Sequence, residues 1–201
     1  MPLPWLVDVH RRTLKQFDFE NYPAPEEVYQ SLIKSEGWNY KIEKEYYMVR
    51  DRAYVSLLYL GCLRVSEILR LRKEQFSFDD PEKVVVRSVI VSKKRYSKGR
   101  SSLRSVWLPK TGERSKFTDL VLLWVNQINS DDLLFKFKNF RGWQITYALT
   151  GKWNHYFRAL GEAYLYDRWG ADMLAVADYV NVNPGILAQY IRGAHRKKPS
   201  V

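Results

Sequence analysis

Three groups of residues have side chains whose types and spacing suit work on an anion. The first is Arg64, which follows the apolar run Leu57–Cys62 with its glycine, Gly61, and precedes Val65-Ser66-Glu67-Ile68-Leu69. A guanidinium at a helix start can meet an anion beside free N–H groups and offer it forked donors. Glu67 lies one turn on, on the same face, so the two also read as an ordinary i, i+3 surface ion pair. The second group is His155-Tyr156-Phe157-Arg158, in which an imidazole and a guanidinium three positions apart share one helix face. A half-buried helix start would give the same text. The third is a basic run of Lys93, Lys94, Arg95, Lys98, Arg100 and Arg104, which contains Gly99. Such a run is either solvated surface or a track for phosphates.

These residues must be positioned by the elements around them. Pro25-Glu26-Glu27, followed by Val28, Leu32 and Ile33, reads as a helix start with proline in the first turn and acids matched to the dipole. A second helix is predicted from about Glu45 to Gly61, with Val55, Leu58, Tyr59 and Cys62 on one face. A third carries Val65, Ile68 and Leu69 inward. Asp79-Asp80-Pro81 then breaks the pattern before the β-branched run Val84–Val91, which with Ser105–Pro109 reads as a β-hairpin. The basic run is its connection. The rest reads as helical: Thr118–Ile128, Gly142–Leu149, His155–Trp169, Asp172–Tyr179 and Gly185–Ile191. The expected class is α+β, mostly helical with one small antiparallel sheet.

Composition narrows the partners. Lys and Arg outnumber Asp and Glu by 33 to 22, giving a formal charge of +11, which favours a polyanion such as nucleic acid. The only cysteine, Cys62, excludes an intramolecular disulfide and a Cys-rich metal site. No acidic cluster has metal-site spacing, so neither metal nor cofactor is expected. No apolar stretch has the length of a membrane span, and the chain reads as soluble and cytosolic. Residues 1–24, which run into the segment Pro23-Ala24-Pro25, read as a lead-in or linker, and 25–201 as one domain.

Taken together and in order, these motifs resemble the catalytic domain of the tyrosine recombinases, the phage-integrase family. Gly61-Cys62-Leu63-Arg64-Val65-Ser66-Glu67 is similar to that family's first arginine motif, with Cys62 where glycine is usual. His155-Tyr156-Phe157-Arg158 is similar to its His-x-x-Arg motif, with Ala159 where a second histidine is often found. Tyr190, in Gln189-Tyr190-Ile191-Arg192, follows His155 at about the family's interval between histidine and nucleophile, and Tyr179 is its nearest rival. Asn181 stands where the family normally has a histidine or tryptophan that bonds the scissile phosphate. An amide can still donate there, though the residue also suits a helix C-cap. Lys93 aligns best with the family's lysine acid, with Lys94 and Lys98 as competitors.

The resemblance implies a site-specific recombinase or integrase that cleaves and rejoins double-stranded DNA through a 3′-phosphotyrosyl intermediate, without metal or ATP. Tyr190 would be the nucleophile, His155 the base, Lys93 the acid, and Arg64 and Arg158 the phosphate clamp, with Asn181 as a further donor and Glu67 in support. Lys94, Arg95, Lys98, Arg100 and Arg104 would track DNA. The family's N-terminal core-binding domain is expected to be absent. Self-association, as a tetramer on paired sites, and a prokaryotic setting on a viral or other mobile element follow from the same likeness. Two other readings stay open: a DNA-binding module with this fold that does not cleave, and a type IB topoisomerase-like nicking-closing enzyme.

Overall fold

The computed structural model describes residues 22–91, 103–170 and 172–191, with 186 and 189–191 described by backbone alone. Helix α1 spans Pro25–Lys34, with its proline in the first turn and Val28 and Leu32 buried. Helix α2 spans Lys44–Gly61 and is the centre of the molecule. From Ala53 to Gly61 every residue is buried, not only the one face expected from the sequence. Its segment Tyr54-Val55-Ser56-Leu57-Leu58-Tyr59-Leu60 has one polar side chain, Ser56, and a helix apolar all round is stable only when surrounded. The short α3, Val65–Ile68, follows.

The sheet contains more than the expected hairpin. Strand β1, Phe76–Ser77, pairs antiparallel with β2, Lys83–Ile90, which pairs antiparallel with β3, Leu103–Pro109. A two-residue strand leaves almost no alternation to detect. Along β2 the buried residues are Val84, Val86 and then Val89, a change of parity. The bulge between Val86 and Val89, where Ser88 takes φ 54°, absorbs the extra residue that would otherwise turn the apolar side chains outward.

Helices α4 (Ser115–Val125), α5 (Asn139–Thr150) and α6 (Asn154–Arg168) pack on α2. The contact with α6 is close because of Gly161, where a Cβ would lie 2.1 Å from the Tyr59 carbonyl oxygen. Helices α7 (Met173–Tyr179) and α8 (Pro184–Ile191) close a second, smaller core of Cys62, Leu165, Val176, Ala177, Val180, Val182 and Leu187. Through Cys62 that core joins the turn before α3. At the other end of the described chain, the Tyr22 hydroxyl bonds Asp167 in α6. Among the described residues no helix is long and apolar enough to cross a membrane.

Candidate active site

The site begins at the turn between α2 and α3. Cys62 takes the left-handed backbone, φ 47°, normally left to glycine, while Gly61 is the last residue of the helix, at a place where a Cβ would meet Val106 at 2.9 Å. The two glycine duties, backbone freedom and absence of a side chain, thus fall on successive residues. Beyond the turn Arg64 is extended at the N-cap of α3, and its N–H donates to Glu67 Oε2 at 2.9 Å.

Glu67 is fully buried and gathers cations. Arg64 Nη1 donates to its Oε1 at 2.9 Å, and Arg104 Nη2 lies 3.7 Å from its Oε2. Burial pushes the Glu67 carboxyl up, but Arg104, Arg158 and the Arg64 N–H outweigh it and hold the group below the usual carboxylate range. Arg158 is buried one turn into α6, where its Nε donates to Glu162 Oε1 at 2.8 Å. Burial works against its charge, yet Glu162 and Glu67 keep its pKa raised. Burial also pushes the Cys62 thiol up to about 12, so it stays a neutral packing group.

The three guanidinium groups then meet three successive carbonyl oxygens at the end of α7. Arg104 Nη1 donates to Tyr179 O at 2.7 Å, Arg158 Nη2 to Val180 O at 3.5 Å and Arg64 Nη2 to Asn181 O at 3.5 Å. A helix C-terminus presents unpaired carbonyls and partial negative charge, which cations complement. The two long bonds are at the limit of the interaction and leave donors available for a stronger acceptor. Among the described residues, the buried Arg158 Nη1 has no hydrogen-bond partner.

Each residue singled out in the sequence can now be placed. Arg64, Glu67, Arg158 and the backbone carbonyl of Asn181 come together. His155 lies half-buried in the first turn of α6, one turn before Arg158, and Ala159 is packed in the core. Asn181 follows α7 with φ 52°. Its N–H bonds to Asp178 O and that of Val182 to Ala177 O, the paired bonds of a helix end that closes on a left-handed residue. Asn181 is therefore a C-terminal turn residue whose carbonyl enters the site. Tyr179, the rival nucleophile, accepts a hydrogen bond from the Trp107 N–H, and its hydroxyl pKa is raised by burial, both of which suit packing. Tyr190 lies in the last turn of α8, described by backbone alone. Lys93, Lys94, Arg95, Lys98 and Arg100 lie outside the described residues.

Arg104 is not where the basic run suggested. Instead of facing solvent for DNA, its side chain is only 9% exposed and also donates to Gly61 O at 3.0 Å, so it ties β3, the α2–α3 turn and the end of α7 together. The signal was available, since Val106 and Leu108 face the core and a residue two positions earlier on the strand shares their face. Glu162 was missed as well. Its signal is an arginine and a glutamate at i, i+4 on an otherwise apolar helix face. Among the described residues no cluster of His, Cys, Asp and Glu could hold a metal ion.

No family model matches the sequence, and no curated protein sequence is similar to it. The fold is similar to two solved structures of the XerH site-specific recombinase. For the pre-cleavage complex bound to difH substrate the TM-score is 0.57 at 17% identity, over 83% of this chain and 48% of that one. For the post-cleavage complex bound to palindromic difH substrate it is 0.58 at 14% identity, over 89% and 51%. The chain thus spans about half the length of the recombinases that it matches. Its helices and the three-stranded antiparallel sheet of the described residues form an α+β fold similar to that of the matched part of the XerH recombinase.

Proposed function

We propose that this chain binds double-stranded DNA and exchanges its strands through a 3′-phosphotyrosyl bond formed by Tyr190. The observation that carries the reading is the meeting of Arg64 and Arg158, distant in sequence, around the buried Glu67 and one carbonyl-rich turn, with an Arg158 donor that has no partner among the described residues. Forked, permanently charged donors fit the nonbridging oxygens of a phosphate, whose negative charge grows on attack. The Tyr190 oxygen attacks phosphorus and gives its proton to His155. The bond to the 5′ oxygen breaks, and Lys93 protonates that oxygen as it leaves. The new phosphodiester conserves the bond energy, so a second 5′ hydroxyl can reverse the step without ATP. Asn181 donates a hydrogen bond to the same phosphate. Cations of the chain itself stabilise the transition state, so the step does not call for a metal. Lys94, Arg95, Lys98 and Arg100 hold the backbone, and copies pair on adjacent sites to exchange strands.

The test uses nicked duplexes of randomised sequence, with covalent adducts captured on denaturing gels in the presence of chelator. The wild type forms an adduct and Tyr190→Phe does not. An adduct that survives Tyr190→Phe would move the nucleophile elsewhere. A second reading, a DNA-binding module that does not cleave, is favoured by one observation: Asn181, at the place where the family that the sequence resembles normally has a histidine or tryptophan, is used as a turn residue. Duplex binding with no adduct from the wild type would select it.

A further inference from the structure

Helix α5 buries Gly142, Ile145, Thr146 and Leu149 and leaves a second apolar stripe uncovered. Phe140, Trp143 and Tyr147 follow one another at helical spacing on the outer side, with Phe140 61% and Tyr147 49% exposed. Trp153, from the turn before α6, joins them. The rings are nearly parallel: Trp143 stacks on Phe140 at 5.6 Å and 20°, on Tyr147 at 5.7 Å and 12°, and on Trp153 at 5.0 Å and 22°. A contiguous exposed aromatic patch of this kind marks a contact surface.

Charge identifies the partner. From Leu133 to Gly161 the chain has no Asp or Glu, while it has Lys136, Lys138, Arg141, Lys152 and Arg158. Arg158 belongs to the buried site, Lys136 pairs with Asp132, and Arg141 lies over the Trp38 ring at 4.1 Å. Lys138 and Lys152 are exposed at the two ends of α5. A partner that covers the rings must therefore offer flat apolar faces beside negative charge. A nucleotide joins a base face to a phosphate within one unit. In a duplex, neighbouring bases already occupy those faces, whereas an unpaired strand has them free.

We propose that the Phe140–Trp143–Tyr147–Trp153 stack binds unpaired nucleobases of a single strand, with the outermost base adding to Phe140 and its phosphates held by Lys138 and Lys152. The rings are already stacked on one another, so little side-chain freedom is lost on binding. This surface goes beyond strand exchange at Tyr190 and does not depend on it.

The test measures binding of a labelled oligothymidine of about ten nucleotides, within the usual range of single-strand sites, against an abasic oligomer with the same phosphates. Phe140→Ala, at an exposed position, weakens oligothymidine binding about tenfold, equivalent to about 1.4 kcal/mol, and leaves the abasic oligomer unchanged. Phe140→Trp restores binding, and Lys138→Gln with Lys152→Gln weakens both oligomers alike. The proposal is overturned if Phe140→Ala changes oligothymidine binding by less than twofold, or weakens both oligomers equally. It is also overturned if the wild type sediments as a dimer that Phe140→Ala dissociates, which would assign the stack to a second copy. Loss of the covalent adduct with the base-dependent difference intact would refute only the strand-exchange reading.

Discussion

Replacing Glu67 by glutamine removes one negative charge from the centre of the arginine cluster with almost no change of shape. The carboxylate is fully buried, accepts from the Arg64 N–H and guanidinium at 2.9 Å each, and lies 3.7 Å from Arg104. Breaking a buried ion pair on one side costs about 3–5 kcal/mol, because the charge left behind stays out of water. Arg64 is 24% exposed and Arg158 keeps Glu162, so the low end, about 3 kcal/mol, applies. In a domain of this size each kcal/mol is about 2–4 °C in melting temperature, which gives a drop of about 6–12 °C at pH 7. Glu67 has a folded-state pKa below its unfolded value, so its contribution is fully present above the unfolded pKa of about 4.3 and is lost as pH falls through the folded pKa. Thermal melts of both proteins from pH 7 to pH 3 should show the gap closing only below about pH 4. Half-molar salt should not close it, unlike the exposed Arg168–Glu113 pair. A drop smaller than 2 °C at pH 7, or a gap that is constant with pH, would refute the claim that the cluster is balanced by this carboxylate.

Gly161→Ala should destabilise the fold by about 1–3 kcal/mol in denaturant titration, because the new methyl meets the Tyr59 carbonyl rather than a side chain that can turn away. Asn181→Gly keeps the left-handed turn, so the melt should stay within about 0.5 kcal/mol of wild type, while single-turnover cleavage falls about tenfold through loss of the amide donor. Unchanged cleavage would leave Asn181 a turn residue only. Neutralising Lys94, Arg95, Lys98 and Arg100 should make the salt dependence of duplex binding shallower by about 0.9 for each phosphate that the protein no longer neutralises, whereas Lys93→Ala should slow cleavage with little effect on binding.

The sequence revealed most where one residue type has one physical use. Apolar period located α2, α4, α5 and α6, and Pro25 marks a helix start that the structure keeps. Arg64, Glu67 and Arg158 were legible because motif and order agreed. Arg104 was misread because six cations in one stretch look alike in composition, and only strand parity separates the inward one from the rest. Cys62 shows a different limit, since a left-handed cysteine costs on the order of 1 kcal/mol and no local rule predicts it. The close approach of Val106 to Gly61 depends on tertiary packing. β1 was missed because two residues have no period, and its pairing follows from β2 lying beside it.

The charges of the buried cluster explain why Glu162 matters to the proposed reaction. Arg64, Arg104 and Arg158 carry three positive charges against two negative ones on Glu67 and Glu162, leaving one positive charge for a phosphodiester to neutralise. The transition state adds further negative charge, which must be met by fixed donors such as Arg158 Nη1, which has no partner among the described residues. Glu162→Gln therefore pulls two ways. It leaves the cluster more positive, which favours the ground-state phosphate, and it exchanges the charge-assisted bond from Arg158 Nε to Glu162, 2.8 Å long, for a weaker one to an amide oxygen, which lets the clamp move away from the geometry needed later. Duplex binding should stay equal to wild type or tighten, while single-turnover cleavage at saturating protein should fall by about one to two orders of magnitude, as happens when an interaction made only in the transition state is removed. Glu162→Asp, which keeps the charge, should recover part of the cleavage rate. If binding and cleavage fall together in step with the melting temperature, Glu162 only holds the fold, and the position of Arg158 is set by α6 alone.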